Sequence, residues 1–262
     1  MPKRKRRLIK SAKSSAPHSK HTAEPPPDDP ARVLIERLKQ QADPAHTQHH
    51  RAVLKTHLPV LGVPVAHIKE VASEFIKSQG RPLSLSSVMP TVQRLWEDGH
   101  LESRLLSLLI LRRFERQFDD HIWELANSWL NQIDDWSLCD TLCVCVVGPM
   151  VAADLSKVEH LIEWAQSDNL WRRRASLVSL RRLRHHNQGH ADIVFRVCQY
   201  LMQDTEWIVR KALGFTLRDL ASHAPDQLAD FLKRWKPRAH RSIIREATKK
   251  LPPALRQSVL SV

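Results

Sequence analysis

A helical motif returns along this 262-residue chain at a nearly constant interval. The stretch at residues 173–183 (RRASLVSLRRL) recurs loosely at 210–220 (RKALGFTLRDL), 37 residues further on. A third copy lies at 104–114 (RLLSLLILRRF), 69 residues before the first, which is close to two units of about 35 residues. An apolar helical stripe that returns at this interval predicts an α-solenoid, in which stacked helix pairs bury one another's apolar faces.

The composition agrees with a fold made of helices. The chain has only six glycines and one tyrosine, whereas strong helix formers such as Leu, Ala and Arg are abundant. Lys and Arg total 41 against 28 Asp and Glu, a net charge of +13, and each repeat carries basic residues beside its apolar stripe. We therefore predict an all-α, HEAT-like superhelix with a concave basic face, a surface suited to a polyanion.

The chain divides by composition into an arm and one domain. Residues 1–30 hold eight Lys or Arg and three acids, with a run of prolines at 25–27. A segment so poor in apolar residues cannot offset its ordering entropy, so we predict a disordered arm followed by one domain at 31–262. Three hypotheses stay open for the arm: a nucleic-acid contact, a nuclear localisation signal in a eukaryote, or a solvated tail.

Stop signals and capping residues divide the domain into successive helices. Breaks are predicted at Gly148-Pro149 and at Pro252-Pro253. Acidic or hydroxyl side chains stand before three of the helices and are predicted N-caps, because their oxygens can accept hydrogen bonds from free backbone N–H groups. These are residues 134–135 before the helix at 136, residues 167–168 before the helix at 171, and residues 204–206 before the helix at 207.

Cysteine and histidine spacing gives no convincing metal site. Cys139, Cys143 and Cys145 share one predicted helix, and Cys198 stands alone, so we interpret all four as reduced, mostly buried thiols rather than metal or redox groups. The histidines at 185–190 are interpreted as a solvated cluster, with a metal site as the alternative. We expect no metal and no cofactor. No uncharged apolar run reaches 18 residues and no signal peptide is visible, so no membrane partner is expected.

One set of residues could carry chemistry. Trp136 and Asp140 stand four residues apart on a predicted helix and therefore share a face. In a solenoid, equivalent positions of successive repeats line up, so Arg174 and Phe215 could converge with them in one cleft. The alternative for each is structural: a core aromatic for Trp136 and Phe215, and an ion-pair partner of a nearby arginine for Asp140.

Three segments of the chain resemble a known family. Residues 135–140 (DWSLCD), 167–175 (SDNLWRRRA) and 209–219 (VRKALGFTLRD) are similar, in order and spacing, to segments of the AlkD-type alkylpurine DNA glycosylases of the DNA alkylation repair family. The resemblance runs from about Leu58 to Lys250. It implies a HEAT-repeat fold and removal of N3- or N7-alkylated purines from duplex DNA by cleavage of the N-glycosidic bond.

The resemblance also implies roles for single residues. It implies that Asp140 is the catalytic carboxylate, that Trp136 packs on the sugar of the damaged nucleotide and that Arg174 lies near the lesion phosphate. Phe215 stands where well-known members have tryptophan. Phenylalanine keeps an aromatic face but lacks the indole N–H and attracts cations more weakly. Further expected DNA contacts are Trp171, Arg173, Arg210 and Lys211.

The chemistry of the substrate suits these residue types. An alkylated purine is cationic and already an activated leaving group, so one carboxylate near the sugar can stabilise the oxocarbenium-like transition state and orient water. We expect a monofunctional glycosylase that acts as a monomer in the cytoplasm, at the nucleoid if the source is bacterial. Two alternatives remain at this point: a non-catalytic DNA-binding relative and a protein-interaction scaffold.

Overall fold

The computed structural model describes residues 29–54, 56–78, 83–185 and 190–261. These residues form α-helices joined by short turns, with no β-strand among them. The helices are α1 Pro30–Gln40, α2 Pro44–Leu54, α3 Val65–Ser78, α4 Leu85–Glu97, α5 Leu101–Leu111, α6 Asp120–Leu130, α7 Trp136–Leu142, α8 Gly148–Ala153, α9 Val158–Ala165, α10 Leu170–Ser179, α11 Ala191–Cys198, α12 Trp207–Asp219, α13 Pro225–Trp235, α14 Arg241–Ala247 and α15 Pro253–Ser261.

The helices stack in two rows. In the first row α3, α5, α7, α10, α12 and α14 each pack against the next. The second row contains α4, α6, α9, α11, α13 and α15, which pack against the first row or against each other. From α5 to α14 the first-row helices begin at residues 101, 136, 170, 207 and 241, so the repeat is 34 to 37 residues long. The prediction of an all-α repeat fold is confirmed.

Tryptophans join successive repeats in the second row. The rings of Trp96 on α4 and Trp129 on α6 stack with centroids 4.1 Å apart. Trp123 on α6 stacks in the same way on Trp164 of α9, at 5.5 Å. These four side chains are buried, so their stacked rings pack successive second-row helices together.

The break predicted at Gly148-Pro149 is wrong. The chain passes from α7 through a π-helical turn, Cys143–Val147, directly into α8. Pro149 is the second residue of α8 and directly follows the π-helical turn, so its missing N–H falls where the hydrogen-bond ladder of the helix is already irregular. The resulting helix, Trp136–Ala153, is long and apolar enough to cross a membrane by length and composition alone, with a mean hydropathy of 1.6. However, 61% of it is buried in the fold, as in a core helix.

The second predicted break, at Pro252-Pro253, is present, since residues 251–252 are not helical and separate α15 from the preceding helical stretch. Pro252-Pro253 marks the end of the 3-10 turn Thr248–Lys250, yet Pro253 is also the first residue of α15. A proline fits the first turn of a helix because its fixed φ angle is already helical. The sequence reading missed α15 because it treated the proline pair only as a stop signal.

The start of α7 is fixed by two adjacent aspartates with different partners. Asp135 is the N-cap, and its Oδ1 accepts hydrogen bonds from the backbone N–H groups of Ser137 and Leu138 at 2.8 and 2.9 Å. Asp134, also predicted as a cap, instead accepts hydrogen bonds from the Thr56 hydroxyl and the His57 backbone N–H. Asp134 therefore ties the segment before α3 to the start of α7.

The caps of α10 and α12 also differ from the prediction. Asn169, rather than residues 167–168, caps α10 by accepting a hydrogen bond from the Trp171 N–H at 2.8 Å. Glu206 occupies the N-cap position of α12 but makes no capping hydrogen bond with its side chain. Asp204 accepts a hydrogen bond from the Glu206 N–H and also binds Arg173 on α10. At α12 a predicted capping side chain thus takes part in a contact between repeats instead of capping the helix.

The N-terminal arm lies almost wholly outside the described residues, which begin at Asp29. Asp29 caps α1 through the Ala31 N–H and forms a salt bridge with Arg94 of α4, at 3.2 Å. The last two residues assigned to the arm, Asp29 and Pro30, therefore belong to the folded domain.

Candidate active site

Three neighbouring helices of the first row carry every predicted site residue. The residues are Trp136 and Asp140 on α7, Trp171, Arg173 and Arg174 on α10, and Arg210, Lys211 and Phe215 on α12. All of them except Phe215 lie in the first half of their continuous helical stretch, which runs over 136–153, 170–185 or 207–222. The stacking order α7, α10, α12 brings the corresponding parts of the three helices side by side.

Asp140 and Arg174 form the centre of this region. Nε and Nη2 of Arg174 each donate a hydrogen bond of 2.7 Å to a different carboxylate oxygen of Asp140. The remaining terminal nitrogen, Nη1, donates to the backbone carbonyl of Ile208 on α12, also at 2.7 Å. One guanidinium therefore joins three successive repeats, and its planar fork holds the carboxylate in a single orientation.

The two members of the pair differ in their access to solvent. The side chain of Arg174 is 8% exposed, whereas that of Asp140 is 26% exposed. A ligand can thus reach the carboxylate but has little access to the guanidinium. The resemblance implied a phosphate contact for Arg174, whereas in this structure its nitrogens donate to Asp140 and to the Ile208 carbonyl.

A second carboxylate lies behind this pair. Asp135 is fully buried, and burial raises its pKa to about 6, although the hydrogen bond from the Leu138 backbone N–H lowers it. The nearby negative charges of Asp134 and Asp140 raise the pKa further. Asp135 Oδ2 has no hydrogen-bond partner among the described residues, which adds to the cost of its ionised form.

The four cysteines are buried free thiols. Burial raises the pKa of Cys145 to about 11, and it also raises the pKa of Cys139 and of Cys198. Thiols in this state are neutral at physiological pH and are poor nucleophiles and metal ligands. Among the described residues no group of three or more His, Cys, Asp or Glu side chains could hold a metal ion.

Arg172 and Arg173 link repeats and leave few donors for DNA. Arg173 Nε donates to Asp204 at 2.7 Å, and its Nη1 donates to the carbonyls of Ser167 and Asp168. Arg172 reaches the second row instead, where it binds side chains on and just after α6. Arg173, predicted as a DNA contact, thus holds together the turns that precede α10 and α12.

Trp136 and Trp171 are both half-buried. Trp136 stands one helical turn before Asp140 and on the same face of α7, with part of its ring available to a ligand. Trp171 packs against the core, and its carbonyl accepts a weak hydrogen bond from the Cys139 thiol at 3.6 Å. Of the two, Trp136 is the one beside the carboxylate.

A row of alternating aromatic and cationic side chains runs along α12. The Lys211 ammonium lies 5.7 Å from the ring centre of Trp207 and 6.0 Å from that of Phe215. The Arg218 guanidinium lies 4.6 Å from the Phe215 ring and also pairs with Glu246 on α14. Two aromatic faces and two cations, one helical turn apart, suit contacts with bases and phosphates.

Trp207 is the residue of this row that the sequence analysis did not single out. It is 57% exposed, far more than expected of a core tryptophan. The spacing of Trp207, Lys211 and Phe215, four residues between neighbours, was the signal that could have identified it. Arg210, on the adjacent face, donates to the Thr205 carbonyl at 2.8 Å and stabilises the start of the helix.

Solved structures with the same fold come from bacteria. A predicted DNA alkylation repair enzyme from Enterococcus faecalis superposes with a TM-score of 0.69 and 18% identity, covering 81% of this chain and 98% of that one. AlkD2 from Streptococcus mutans gives a TM-score of 0.52 and 18% identity, covering 84% and 99% of the two chains. The Streptococcus mutans protein smu.31 gives 0.51, with 18% identity and coverages of 85% and 99%.

The chain matches no curated protein. The model of the DNA alkylation repair enzyme family matches it over residues 34–251. This range begins in α1, ends just before α15 and includes every residue of the candidate site. On this match, and with a fold shared with a predicted repair enzyme and with AlkD2, the chain belongs to the DNA alkylation repair enzyme family.

Proposed function

We propose that this protein is a monofunctional DNA glycosylase that releases N3- and N7-alkylated purines from duplex DNA. The observation that carries the proposal is the partly exposed Asp140 carboxylate, held in one orientation by the buried Arg174 guanidinium and flanked on its own helix face by Trp136. A carboxylate fixed before substrate arrives needs no reorganisation during the reaction.

The chemistry requires one negative charge at the sugar. As the bond from C1′ to the cationic purine breaks, positive charge develops on the deoxyribose, and Asp140 stabilises it by electrostatic attraction. The same carboxylate orients a water molecule toward C1′ and accepts its proton, while the bonding electrons leave with the purine and neutralise its charge. Trp136 offers an apolar surface to the sugar and excludes competing water.

Recognition of the cationic base falls to the aromatic faces of α12. Phe215 takes the place of the tryptophan of well-known relatives, and the exposed Trp207 supplies a second face two turns away. Each such face attracts a cation by roughly 0.5–2 kcal/mol. Lys211 and the net charge of +13 attract the phosphate backbone, which sets affinity without selecting sequence.

A non-catalytic DNA-binding protein of the same fold is the second candidate. Both oxygens of Asp140 are already neutralised by Arg174, and Phe215 is a weaker partner for a cationic base than tryptophan. A protein-interaction scaffold is the third, and salt separates it from the other two. Affinity for duplex DNA has to fall steeply between 50 and 200 mM salt if phosphates are the main contact, on the order of 10³-fold or more for six contacts.

The decisive experiment is single-turnover release of 7-methylguanine and 3-methyladenine from methylated duplex DNA with enzyme in excess. We expect Asp140→Asn to reduce the release rate by about 10²- to 10⁴-fold, the usual effect of removing such a group. Asp230→Asn is the matched control, because the Asp230 side chain is 73% exposed on α13 of the second row. Equal rates for wild type and Asp140→Asn would refute the assigned role of Asp140.

If wild type binds duplex DNA but releases neither base, the non-catalytic candidate is favoured. Phe215→Trp then becomes the informative variant, since it restores the larger aromatic face. Release gained by Phe215→Trp and lost again in combination with Asp140→Asn would show that the machinery is intact apart from the aromatic. No gain would favour a protein that only binds DNA.

A further inference from the structure

A second basic site lies outside the Asp140–Arg174 region. It is an open cavity of about 620 Å³ lined by residues of α3, the end of α5, the 3-10 turn Arg112–Gln117 and the turn after α10. Six of the described side chains that line it are cationic, and Glu115 is the one acid among them. The six are Lys69, Lys77, Arg112, Arg113, Arg116 and Arg182.

Most of this positive charge is uncompensated. Arg182 Nη2 donates hydrogen bonds to both oxygens of Glu115, at 2.9 and 3.2 Å. Within the described part of the chain the other five cations have no salt bridge, and all five are exposed. Like charges gathered within a Debye length of about 8–10 Å repel one another, so an anion placed in the cavity relieves that repulsion.

The cations that line the cavity come from separate elements and lie over the part of the core that contains Cys145. Burial raises the pKa of the Cys145 thiol to about 11, and the charges of Arg112 and Lys69 act on it in the opposite direction. Two cations, one after α5 and one on α3, therefore lie near the same buried sulfur. The floor of the cavity is apolar, formed in part by the buried side chains of Ala72 and Phe114.

The cavity lies at a definite place relative to the candidate active site. Cys145 follows Asp140 by five residues and Arg182 follows Arg174 by eight, which is about 8 and 12 Å along their helices. The cavity is also displaced sideways by about one helix, or roughly 8–10 Å, because it lies over α5 rather than α7. The separation is therefore on the order of 15 Å, which a DNA strand covers in roughly four nucleotides at 3.4 Å each.

We propose that this cavity binds backbone phosphates of the duplex about four nucleotides from the base that faces Asp140. The inference rests on the proposed function only in taking DNA as the ligand, and it is independent of the chemistry at Asp140. Unpaired cations spread along an open rim match a line of phosphates better than a single compact anion. Contacts of this kind set the register of the protein on DNA without reading sequence.

The test is the salt dependence of DNA binding by the full chain. Arg112→Gln with Arg116→Gln removes two cavity charges without breaking a salt bridge in the described structure. Arg234→Gln with Arg256→Gln is the matched control, since both arginines are exposed on second-row helices and have no recorded acidic partner there. Each lost phosphate contact lowers the slope of log affinity against log salt by about 0.9.

We expect the slope to fall by about 1 to 2 in the cavity variant and by under about 0.3 in the control. On a duplex that ends two base pairs from the lesion on either side, the two variants should bind alike, because the distant phosphates are absent. Equal slopes for wild type and cavity variant on a long duplex would overturn the assignment.

Two further outcomes would point to a different ligand for the cavity or to a failure of the proposed function itself. If tripolyphosphate binds wild type but not the cavity variant while their DNA slopes agree, the cavity serves a small phosphate compound and its assignment to DNA is overturned. If wild type itself does not bind duplex DNA, the proposed function fails first and this inference fails with it. Loss confined to the cavity variant supports the inference even if no base is released.

Discussion

The Asp140–Arg174 pair allows a quantitative test of the geometry that underlies the proposed function. Replacing Asp140 by Asn leaves a guanidinium that is 8% exposed without its negative partner. Breaking a fully buried pair costs about 3–5 kcal/mol. Because the Asp140 side chain is 26% exposed and Asn can still accept one hydrogen bond, we expect a smaller loss of about 2 kcal/mol.

Replacing the other member of the pair, Arg174, should lower the free energy of unfolding by more. Arg174→Met keeps the apolar length of the side chain but removes the guanidinium hydrogen bonds to Asp140 and to the Ile208 carbonyl. We expect a loss of about 3 kcal/mol in the free energy of unfolding. The double variant should be less destabilised than the sum of the single variants, by about 2 kcal/mol, since the second change removes an interaction already lost.

Urea unfolding of the four proteins followed by circular dichroism measures this cycle, with Asp230→Asn as the surface control. Additivity of the two changes within about 0.5 kcal/mol would refute the bidentate pair.

The size of the stability loss also matters for the activity assay. Domains are stable by about 5–15 kcal/mol, so a loss of about 2 kcal/mol leaves Asp140→Asn folded, and a loss of release of 10² or more cannot then be attributed to unfolding.

Three further predictions concern stability and binding. Burial raises the pKa of Asp135 to about 6 in the folded protein, against 3.8 for an ordinary aspartate, so its contribution to stability is full below pH 3.8 and is lost as the pH rises through 6. Relative to wild type, Asp135→Asn should therefore gain stability between pH 4 and 7, measured as urea midpoints, and an unchanged difference would contradict this. A Cβ added at Gly214 would lie 2.7 Å from the Cβ of Glu246, so Gly214→Ala should push α14 away from α12. We expect the free energy of unfolding to fall by about 1–3 kcal/mol, measured by thermal unfolding. An unchanged stability would show that α14 can shift without cost. Deleting residues 1–28 removes eight basic and two acidic residues, a net charge of +6, and should weaken affinity for all duplexes alike while single-turnover release at saturating enzyme stays constant. A fall in that release rate would give the arm a role beyond electrostatic attraction.

The sequence was sufficient for the fold class because the repeat is encoded locally. An apolar stripe with helical spacing that returns every 34 to 37 residues fixes which face of each helix is buried, and stacking follows from that. The first-row positions of α5, α10 and α12 correspond to the three copies of the motif. The break predicted at Gly148-Pro149 was wrong, and α15 after Pro252 was missed, because proline both ends helices and begins them and local sequence does not distinguish the two uses.

The candidate site was predicted in part. The spacing of Trp136 and Asp140 placed them on one helix face, and both remain partly exposed. The sequence could not assign the arginines, since 172, 173 and 174 are chemically alike, yet each contacts a different neighbour. Which partner each one reaches depends on how far neighbouring helices are shifted and rotated against each other.

By itself the sequence determined that this chain is helical, repetitive and basic, because helix propensity, periodicity and charge are properties of short segments or of the whole composition. Only the tertiary structure decided that Arg174, 34 residues beyond Asp140, would fix its carboxylate, that Trp207 would stand exposed, and that a basic cavity would form beside α5. These features depend on hydrogen bonds and charges between residues of different repeats. Such contacts arise only once packing has set the distances between helices.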